Sequence, residues 1–571
     1  MWPQHHRALS TAVGWSHELC EPLERLLWAR LSVFQSDFGI EDAVAVCADG
    51  PLGADDVAGA LAGLVAQSVV RRTDAGADAS TGPSTDATTD VRTTDPRTTD
   101  VRTGDVRTRD VRAGDVDISR VRTDVGADAS TGRSADVRTD ALPDACPDVL
   151  TDVLTGDTRN AGADVRTPAP AGGDGSAAPG PGGSGRSARP RYRMLATLRE
   201  YGAMWLAELG QEESLADRHA RHYADLVRQA YAGWLGAGQV AWYHTMRDTH
   251  TDLCAALNHL IATDPGRATE MAGAVGFFWT CCGHLHEARL YLERCLAEDP
   301  RPRAHRTRAL WALGVTVVLQ GDLEGARVLG ERCALAARQD GTRESTLAAC
   351  YLQGLTCLMA GRPLAAHVLT GQVLRALPGD LFASQSLLRC RVGEVFALTA
   401  LGRFAEARTT AEALRAACVE RGEYWARGYA DYQLGLIHLF SGAPHEAEGY
   451  ARSMLGGRDV LLDSFGTALG LDLLAATIAA QGDGEGAAHA FGTGQAYWHT
   501  VGHPQRRTPE LAEVRADCER RARETVGGAI YEEAFHRGLV AEGRTGLSRA
   551  LEGHLPDEDR GSAAVGGAEE G

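Results

Sequence analysis

The sequence contains no lysine, and all 58 of its basic residues are arginine. A P-loop places a lysine on the β- and γ-phosphates of its nucleotide, so this chain has no residue for that role. Schiff-base and serine–lysine mechanisms are excluded for the same reason. The sequence also has no G-x-S-x-G motif and no dinucleotide-binding glycine pattern. We therefore expect neither an enzyme nor a bound cofactor.

Other absences concern the compartment and the partners. The 13 cysteines form no C-x-x-C pair, which predicts reduced thiols in a cytoplasmic protein. The N-terminus, MWPQHHRALS, lacks an apolar signal region, and no run reaches about 18 apolar residues, so no membrane span is expected. A net charge of -18 disfavours nonspecific binding to nucleic acid or to anionic membranes.

One stretch of the chain has almost nothing to bury. In DVRTTDPRTTDVRTGDVRTRDVRAGDV, an Asp recurs every five residues from Asp90 to Asp115, and an Arg follows two residues later from Arg92 to Arg112. A period of five fits neither a helix nor a strand. We expect residues 73–188 to be a disordered insert that contains this tract and ends in a flexible Gly/Pro/Ser linker.

The residues on either side of the insert predict one small block, made of residues 1–72 and 189–207. Apolar periodicity indicates three helices before residue 68, and the runs Ser68–Arg72 and Arg191–Leu195 are β-like. We expect these runs to pair as a hairpin with the insert at its tip, because exposed tips tolerate long insertions. Three helices followed by a hairpin have the layout of a winged helix.

Several segments also resemble a known family. HRALSTAVGWSHELCEPLERLLWARLSVFQSDFGIEDAVAVCA, RYRMLATLREYGAMWLAEL, RHARHYADLVRQA and AWYHTMRDTHTDLCAALNHLI resemble parts of large ATP-binding LuxR-family transcriptional regulators, which belong to the STAND class of signalling ATPases. The resemblance covers nearly the whole chain outside the insert. It implies a role in transcriptional regulation.

The chain departs from that family at both ends. Family members carry an upstream P-loop ATPase and often a C-terminal helix-turn-helix, whereas this sequence starts after the first and ends, at HLPDEDRGSAAVGGAEEG, where the second would begin. The resemblance therefore does not imply that this chain is switched by ATP or that it binds a promoter. We expect a protein or peptide partner instead, including a separately encoded nucleotide-binding domain.

Residues 268–505 repeat one pattern six times, and successive units are 38, 40, 41, 40 and 40 residues apart. Each unit has a small or aliphatic residue, a Gly seven positions later, and an Ala five positions after that. The signature residues are Gly276, Gly283 and Ala288; Gly314, Gly321 and Ala326; Gly354, Gly361 and Ala366; Val395, Gly402 and Ala407; Gly435, Gly442 and Ala447; and Ala475, Gly482 and Ala487.

This pattern predicts two antiparallel helices per unit. The first small residue allows close helix approach, the Gly ends the first helix in the left-handed conformation, and the Ala packs against the first helix. The units resemble tetratricopeptide repeats with a longer period, and such units stack into an all-α superhelix. We expect connecting helices over 208–267, further helices over 506–552, and a disordered tail over 553–571.

Three groups that contain histidine are candidates for metal sites. Cys281, Cys282, His284 and His286 lie together, but Gly283 occupies the turn position and the two Cys close a helix, so we expect no metal there. His219 and His222 are spaced i, i+3, which predicts a solvated helix face. His445–Glu446 lacks the second His of the H-E-x-x-H zinc motif.

Two functional hypotheses follow. In the first, the chain is a non-catalytic regulatory scaffold that binds a protein, peptide or effector through its repeats, with Trp425 and Tyr429 as candidates for a groove. In the second, it is a transcriptional regulator that binds DNA through the N-terminal winged helix. Direct DNA binding is disfavoured, because residues 40–70 contain five acidic residues and no arginine.

Overall fold

The computed structural model describes residues 13–73, 190–299, 304–456, 464–501, 509–541 and 543–552. In these ranges the chain is almost entirely helical, with one two-stranded sheet, so the predicted all-α, helical-repeat class is confirmed. The expected insert beyond Thr73 and the expected tail over 553–571 lie outside the described residues. Across the described ranges, no helix combines the length and the apolar character that a membrane crossing requires.

Two segments far apart in the sequence build the N-terminal block. Helical residues 13–19 are followed by α1 (Pro22–Leu31), α2 (Ile40–Cys47), α3 (Ala54–Ala66), β1 (Val70–Thr73), β2 (Arg191–Met194) and α4 (Ala196–Glu208). The strands pair antiparallel, with Val70 opposite Met194 and Thr73 opposite Arg191. The expected hairpin therefore forms, and it begins two residues later than predicted on its first strand.

Local sequence explains where these helices begin. Pro22 occupies the first turn of α1, and Glu24 accepts a hydrogen bond from the Glu21 N–H at 2.8 Å. Asp42 and Asp56 reach back in the same way to the N–H groups of Gly39 and Gly53. Each carboxylate satisfies an otherwise unpaired N–H at a helix start and complements the helix dipole.

Three helices connect the block to the repeats: α5 (Glu212–Ala232), α6 (Gln239–Asp248) and α7 (His250–Thr263). The predicted solvated face of α5 is wrong. His219 is buried and its Nε2 lies 2.9 Å from the carboxylate of Asp252, while Nε2 of His222 lies 2.9 Å from that of Asp42. Both carboxylates come from other helices, so the sequence of α5 alone could not reveal them.

The repeats form six helical pairs. The first helices are α8 (Pro265–Cys282), α10 (Ala304–Leu319), α12 (Arg343–Met359), α14 (Gln385–Ala400), α16 (Trp425–Phe440) and α18 (Ser464–Ala480). The second helices are α9 (Leu285–Glu298), α11 (Leu323–Asp340), α13 (Pro363–Ala376), α15 (Phe404–Arg421), α17 (Pro444–Leu455) and α19 (Gly484–Val501). A 3-10 turn, Leu381–Ala383, precedes α14, and α20 (Pro509–Val526), α21 (Gly528–Val540) and α22 (Gly543–Glu552) follow the pairs. Each first helix packs on the next first helix.

The turn inside every pair has one conformation. Gly283, Gly321, Gly361, Gly402, Gly442 and Gly482 all have positive φ, between 67 and 92°. In every pair the following residue donates its N–H to the carbonyl five positions earlier, as Asp322 does to Val317 at 3.1 Å. This bond marks a glycine-ended helix. Asp322 and Asp483 also cap the second helices that follow them, since each carboxylate accepts a hydrogen bond from the N–H three residues later.

The other signature residues lie where helices touch. All six signature alanines, from Ala288 to Ala487, are fully buried. A Cβ added to Gly276 would lie 2.5 Å from the Ala312 Cβ, and one added to Gly314 would lie 2.4 Å from Leu352 Cδ2. These neighbours belong to the next first helix. The small residues therefore set the spacing between units as well as within them.

Candidate functional site

The first helices of all six units surround one cavity. The array curls enough that α8 contacts α18, and the Phe277 ring of α8 meets the Trp425 ring of α16 edge to face, with centroids 5.2 Å apart. The first unit therefore touches the fifth directly. Side chains on the inner faces of the first helices enclose the space between them.

The cavity has apolar walls and is partly open to solvent. The space inside it that a water-sized sphere can occupy is about 100 Å³. This is smaller than a typical site for a drug-sized ligand. The lining residues are Phe277, Thr280, Cys281, Trp311, Val315, Leu319, Tyr351, Leu355, Leu358, Met359, Thr370, Val392, Gly393, Phe396, Trp425, Tyr429 and Phe465. This set contains no carboxylate, histidine or arginine.

Both residues expected to line a groove are in this set. Trp425 and Tyr429 lie one turn apart on α16, with ring centroids 4.8 Å apart. The aromatic first helices were the signal that identified them. The sequence did not indicate the aliphatic wall of Leu355, Leu358 and Met359, because a Leu or Met on a core helix looks the same whether it packs or lines a cavity.

The polar groups in the wall are mostly occupied by the protein itself. The Thr280 hydroxyl donates to the Phe277 carbonyl at 2.7 Å, and the Thr370 hydroxyl donates to the Ala366 carbonyl at 2.9 Å. Trp311 differs, because its Nε1–H is buried without a hydrogen-bond partner among the described residues. A buried N–H without a partner costs about 1 to 3 kcal/mol. A ligand whose acceptor atom reaches Nε1 would recover that energy.

One charged group lies directly behind the wall. Arg389 is 3% exposed, and its guanidinium carbon lies 4.2 Å from the Phe277 ring centroid and 4.5 Å from that of Trp311. It also donates to Gln385 Oε1 at 2.9 Å. Among the described residues it forms no ion pair with a carboxylate. Its charge is therefore balanced by the faces of two rings and by the buried carboxyl group of Glu423 nearby.

The segment between α5 and α6, residues 233–238, crosses from the first unit to the fifth. The Trp234 ring meets Phe277 at 5.4 Å, and Ala237 packs on Gly422. Directly after this segment, the Gln239 side-chain amide donates a hydrogen bond to the Glu423 carboxyl group at 2.7 Å. Its oxygen accepts hydrogen bonds from the backbone N–H groups of Tyr424 and Trp425. Burial raises the pKa of Glu423, although hydrogen bonds from Gln239 and the backbone partly offset that rise.

The histidine and cysteine clusters are divided by the fold. Cys281 lines the cavity, His286 is exposed, and His284 turns toward His250 and Glu287. His445 and Glu446 are exposed. The twelve cysteines that the structure describes are free thiols, and burial raises the pKa of Cys350, for example, to about 12.

Comparison with known proteins gives no further guide to this site. No family model matches the chain, and a search of the curated proteins finds no significant match.

Proposed function

We propose that this chain is a non-catalytic regulatory scaffold that binds a mostly apolar small-molecule effector inside its repeats. The observation that carries the proposal is the cavity enclosed by six first helices, with aromatic and aliphatic walls and one buried N–H donor without a partner, on Trp311. Such a site favours a flat or branched apolar ligand with a carbonyl or similar acceptor.

A small molecule suits this site better than a helix or an extended peptide. A peptide carries an N–H and a carbonyl in nearly every residue, and each needs a partner when it is buried. The hydroxyls of Thr280 and Thr370 are already engaged, so the cavity wall supplies few such partners. Protein partners would instead contact the outer faces of the array or the N-terminal block.

The regulatory part of the proposal comes from the family resemblance. In regulators of the ATP-binding LuxR type, a repeat region follows an ATPase, and we propose that this chain likewise passes an effector signal to a partner domain. Residues 233–239 support such a link, because they join the helices beside the N-terminal block to the wall of the cavity through Gln239 and Glu423.

The test uses prodan, a neutral naphthalene with one ketone, whose emission shifts to the blue in apolar surroundings. Gly393→Leu should fill the cavity and weaken prodan binding at least about tenfold, because a Cβ there would make only ordinary contact, at 3.7 Å from Thr370, and the added carbons would occupy ligand space. The matched control is Gly449→Leu on α17, where a Cβ meets nothing within 4 Å.

Trp311→Phe tests the hydrogen bond within the same assay. It should weaken prodan binding about fivefold to tenfold, which corresponds to the loss of one hydrogen bond. An analogue of prodan that lacks the ketone should bind this variant and the unsubstituted chain equally well. Prodan that binds the Gly393→Leu variant as tightly as the unsubstituted chain would show that the cavity is not the site.

A further inference from the structure

The fold brings together three donor side chains that are separated in the sequence. His250 is the first residue of α7, His284 is the N-cap of α9, and Glu287 lies in the first turn of α9. One ligand atom from each lies within 4.8 Å of those of the other two. Within the described part of the chain, no other group of three or more His, Cys, Asp or Glu side chains has its ligand atoms this close together.

We propose that His250, His284 and Glu287 bind a divalent transition-metal ion, with Zn²⁺ as the preferred ion. Two imidazoles and one carboxylate form a donor set that Zn²⁺ uses in proteins, and three protein ligands leave a fourth position open for water or another donor. The site is separate from the apolar cavity, and the proposal does not depend on the proposed effector.

Metal binding requires the side chains to rearrange. In a tetrahedral Zn²⁺ site the ligand atoms are roughly 3.3 Å apart, so the three groups must move closer by about 1.5 Å. The two imidazole rings are stacked, with centroids 4.1 Å apart, so one ring must also turn to aim its nitrogen at a shared ion. Nδ1 of His284 lies 4.0 Å from Glu287 Oε2. Glu287 is exposed, and rotation of its side chain can close the remaining gap.

Metal binding would change the hydrogen bonds of His250. The Trp279 Nε1–H donates to His250 Nδ1 at 3.4 Å, and the Cys254 thiol lies 3.8 Å from Nε2. One of these contacts is lost when a ring nitrogen of His250 ligates the ion, and the other ring nitrogen then carries the N–H. A metal here would join the start of α7 to the start of α9, and so fix the connecting helices to the first repeat unit.

The alternative is that two stacked histidines simply pack this junction. Packing does not need the carboxylate of Glu287, which is exposed, whereas a metal site does. Glu287→Gln keeps the size and the exposure of the side chain and removes its charge. This substitution therefore separates the two explanations with little risk to the fold.

The experiment titrates the full chain, stripped of metal, with Zn²⁺ against a chromophoric chelator, and records the absorption spectrum with Co²⁺. We expect one Zn²⁺ per chain with a dissociation constant below about 10 μM. His250→Ala and Glu287→Gln should each weaken binding at least about tenfold. The matched control, His286→Ala, removes an exposed histidine of the same helix and should leave binding unchanged.

A second readout guards against variants that fail to fold. Zn²⁺ should raise the melting temperature of the unsubstituted chain and of His286→Ala, and should not raise that of Glu287→Gln. The proposal is overturned if the unsubstituted chain binds no Zn²⁺ at this affinity. It is also overturned if Glu287→Gln binds Zn²⁺ as well as the unsubstituted chain, or if His286→Ala loses as much affinity as Glu287→Gln.

Discussion

The N-terminal block and the repeat array are both helical, but they are held together in different ways. In the block, a few buried polar side chains each join several parts of the chain that are distant in sequence. Arg30, for example, is 2% exposed and donates to Gln211 and to the carbonyls of Cys47 and Asp49. In the array, the helices meet through small residues that recur at fixed spacings, such as Gly314 and Ala326.

Asp252, on the connecting helix α7, shows most clearly how the block is held. It is fully buried at the start of α7, and it accepts the N–H groups of Gln35 and Ser36 at 2.8 and 3.0 Å as well as contacting His219. One carboxylate thus fixes a loop and two helices. The array spreads the same task over many nearly equivalent contacts, so a single loss there should cost less.

The first way to test this comparison is to remove the carboxylate. Asp252→Ala should lower the free energy of unfolding by about 3 kcal/mol or more, because two backbone N–H groups and a histidine lose their buried partner. Denaturant unfolding measures the change. The control is Asp225→Ala, which breaks a half-exposed pair with Arg228 and should cost under about 1 kcal/mol. Equal effects of the two substitutions would contradict the distinction drawn here.

Within the array, substitution of two glycines that lie seven residues apart should change the stability in opposite directions. Gly442 has a φ of 76° with open space around its missing Cβ, so Gly442→Val should cost over about 1 kcal/mol through backbone strain alone. Gly449 lies in the helix α17, also in open space, and Gly449→Ala should stabilise by up to about 1 kcal/mol. Thermal unfolding of both variants checks the pair. Gly321→Val should repeat the Gly442 result, and an unchanged melting temperature in both valine variants would make the turn assignment wrong.

The hairpin offers a test with a still smaller expected effect. Thr73 and Arg191 are opposite each other across the sheet, so a short Gly/Ser turn can replace residues 75–188 without moving either strand. We expect the melting temperature not to fall, because shortening a loop only lowers its closure entropy. Circular dichroism and thermal unfolding measure the result, and a deletion variant that is insoluble would show that the segment is structural.

We expect no measurable binding of the chain to duplex DNA. Arg193 is paired with Asp37, and Arg191 donates to the Asp37 carbonyl, so two of the hairpin arginines are engaged within the protein. Asp55 and Asp56 add negative charge to α3. A mobility shift of the full chain on random duplex at about 0.15 M salt should show no binding tighter than about 1 μM. Tighter binding that Arg71→Glu and Arg193→Glu weaken would favour the DNA-binding alternative.

The two regions also differ in what their sequence reveals. The repeats could be predicted because each unit obeys the same local rule, in which a Gly ends one helix and an Ala packs the next, and six copies make the rule visible. The block's hairpin could be predicted from its β-like runs, but the partners of His219 and His222 could not, since each lies 33 or more residues away on another helix.

For the candidate site, only part of the lining could be predicted from the sequence. Aromatic first helices pointed to Trp425 and Tyr429, but nothing local indicates that α8 reaches α16, and that closure creates the cavity. The proposed metal ligands around His284 could not be predicted from the local sequence either. Cys281, Cys282 and His286 are its neighbours in the sequence, which predicts no metal site there, whereas His250, 34 residues earlier, is the histidine that stacks on it.

The contact between Phe277 and Trp425 also bears on how this protein can change its length in evolution. Repeat proteins commonly gain or lose whole units by duplication or deletion, because each unit contacts only its neighbours. Here the rings of units one and five meet at 5.2 Å, and Gln239 holds Glu423 across the same gap. One more or one fewer unit between them would misalign both contacts at once. The copy number of the intervening units is therefore fixed by geometry, and sequence change in this region should proceed by substitution. Since α8 also contacts α18, gain of a whole unit should be restricted to the C-terminal side of unit six.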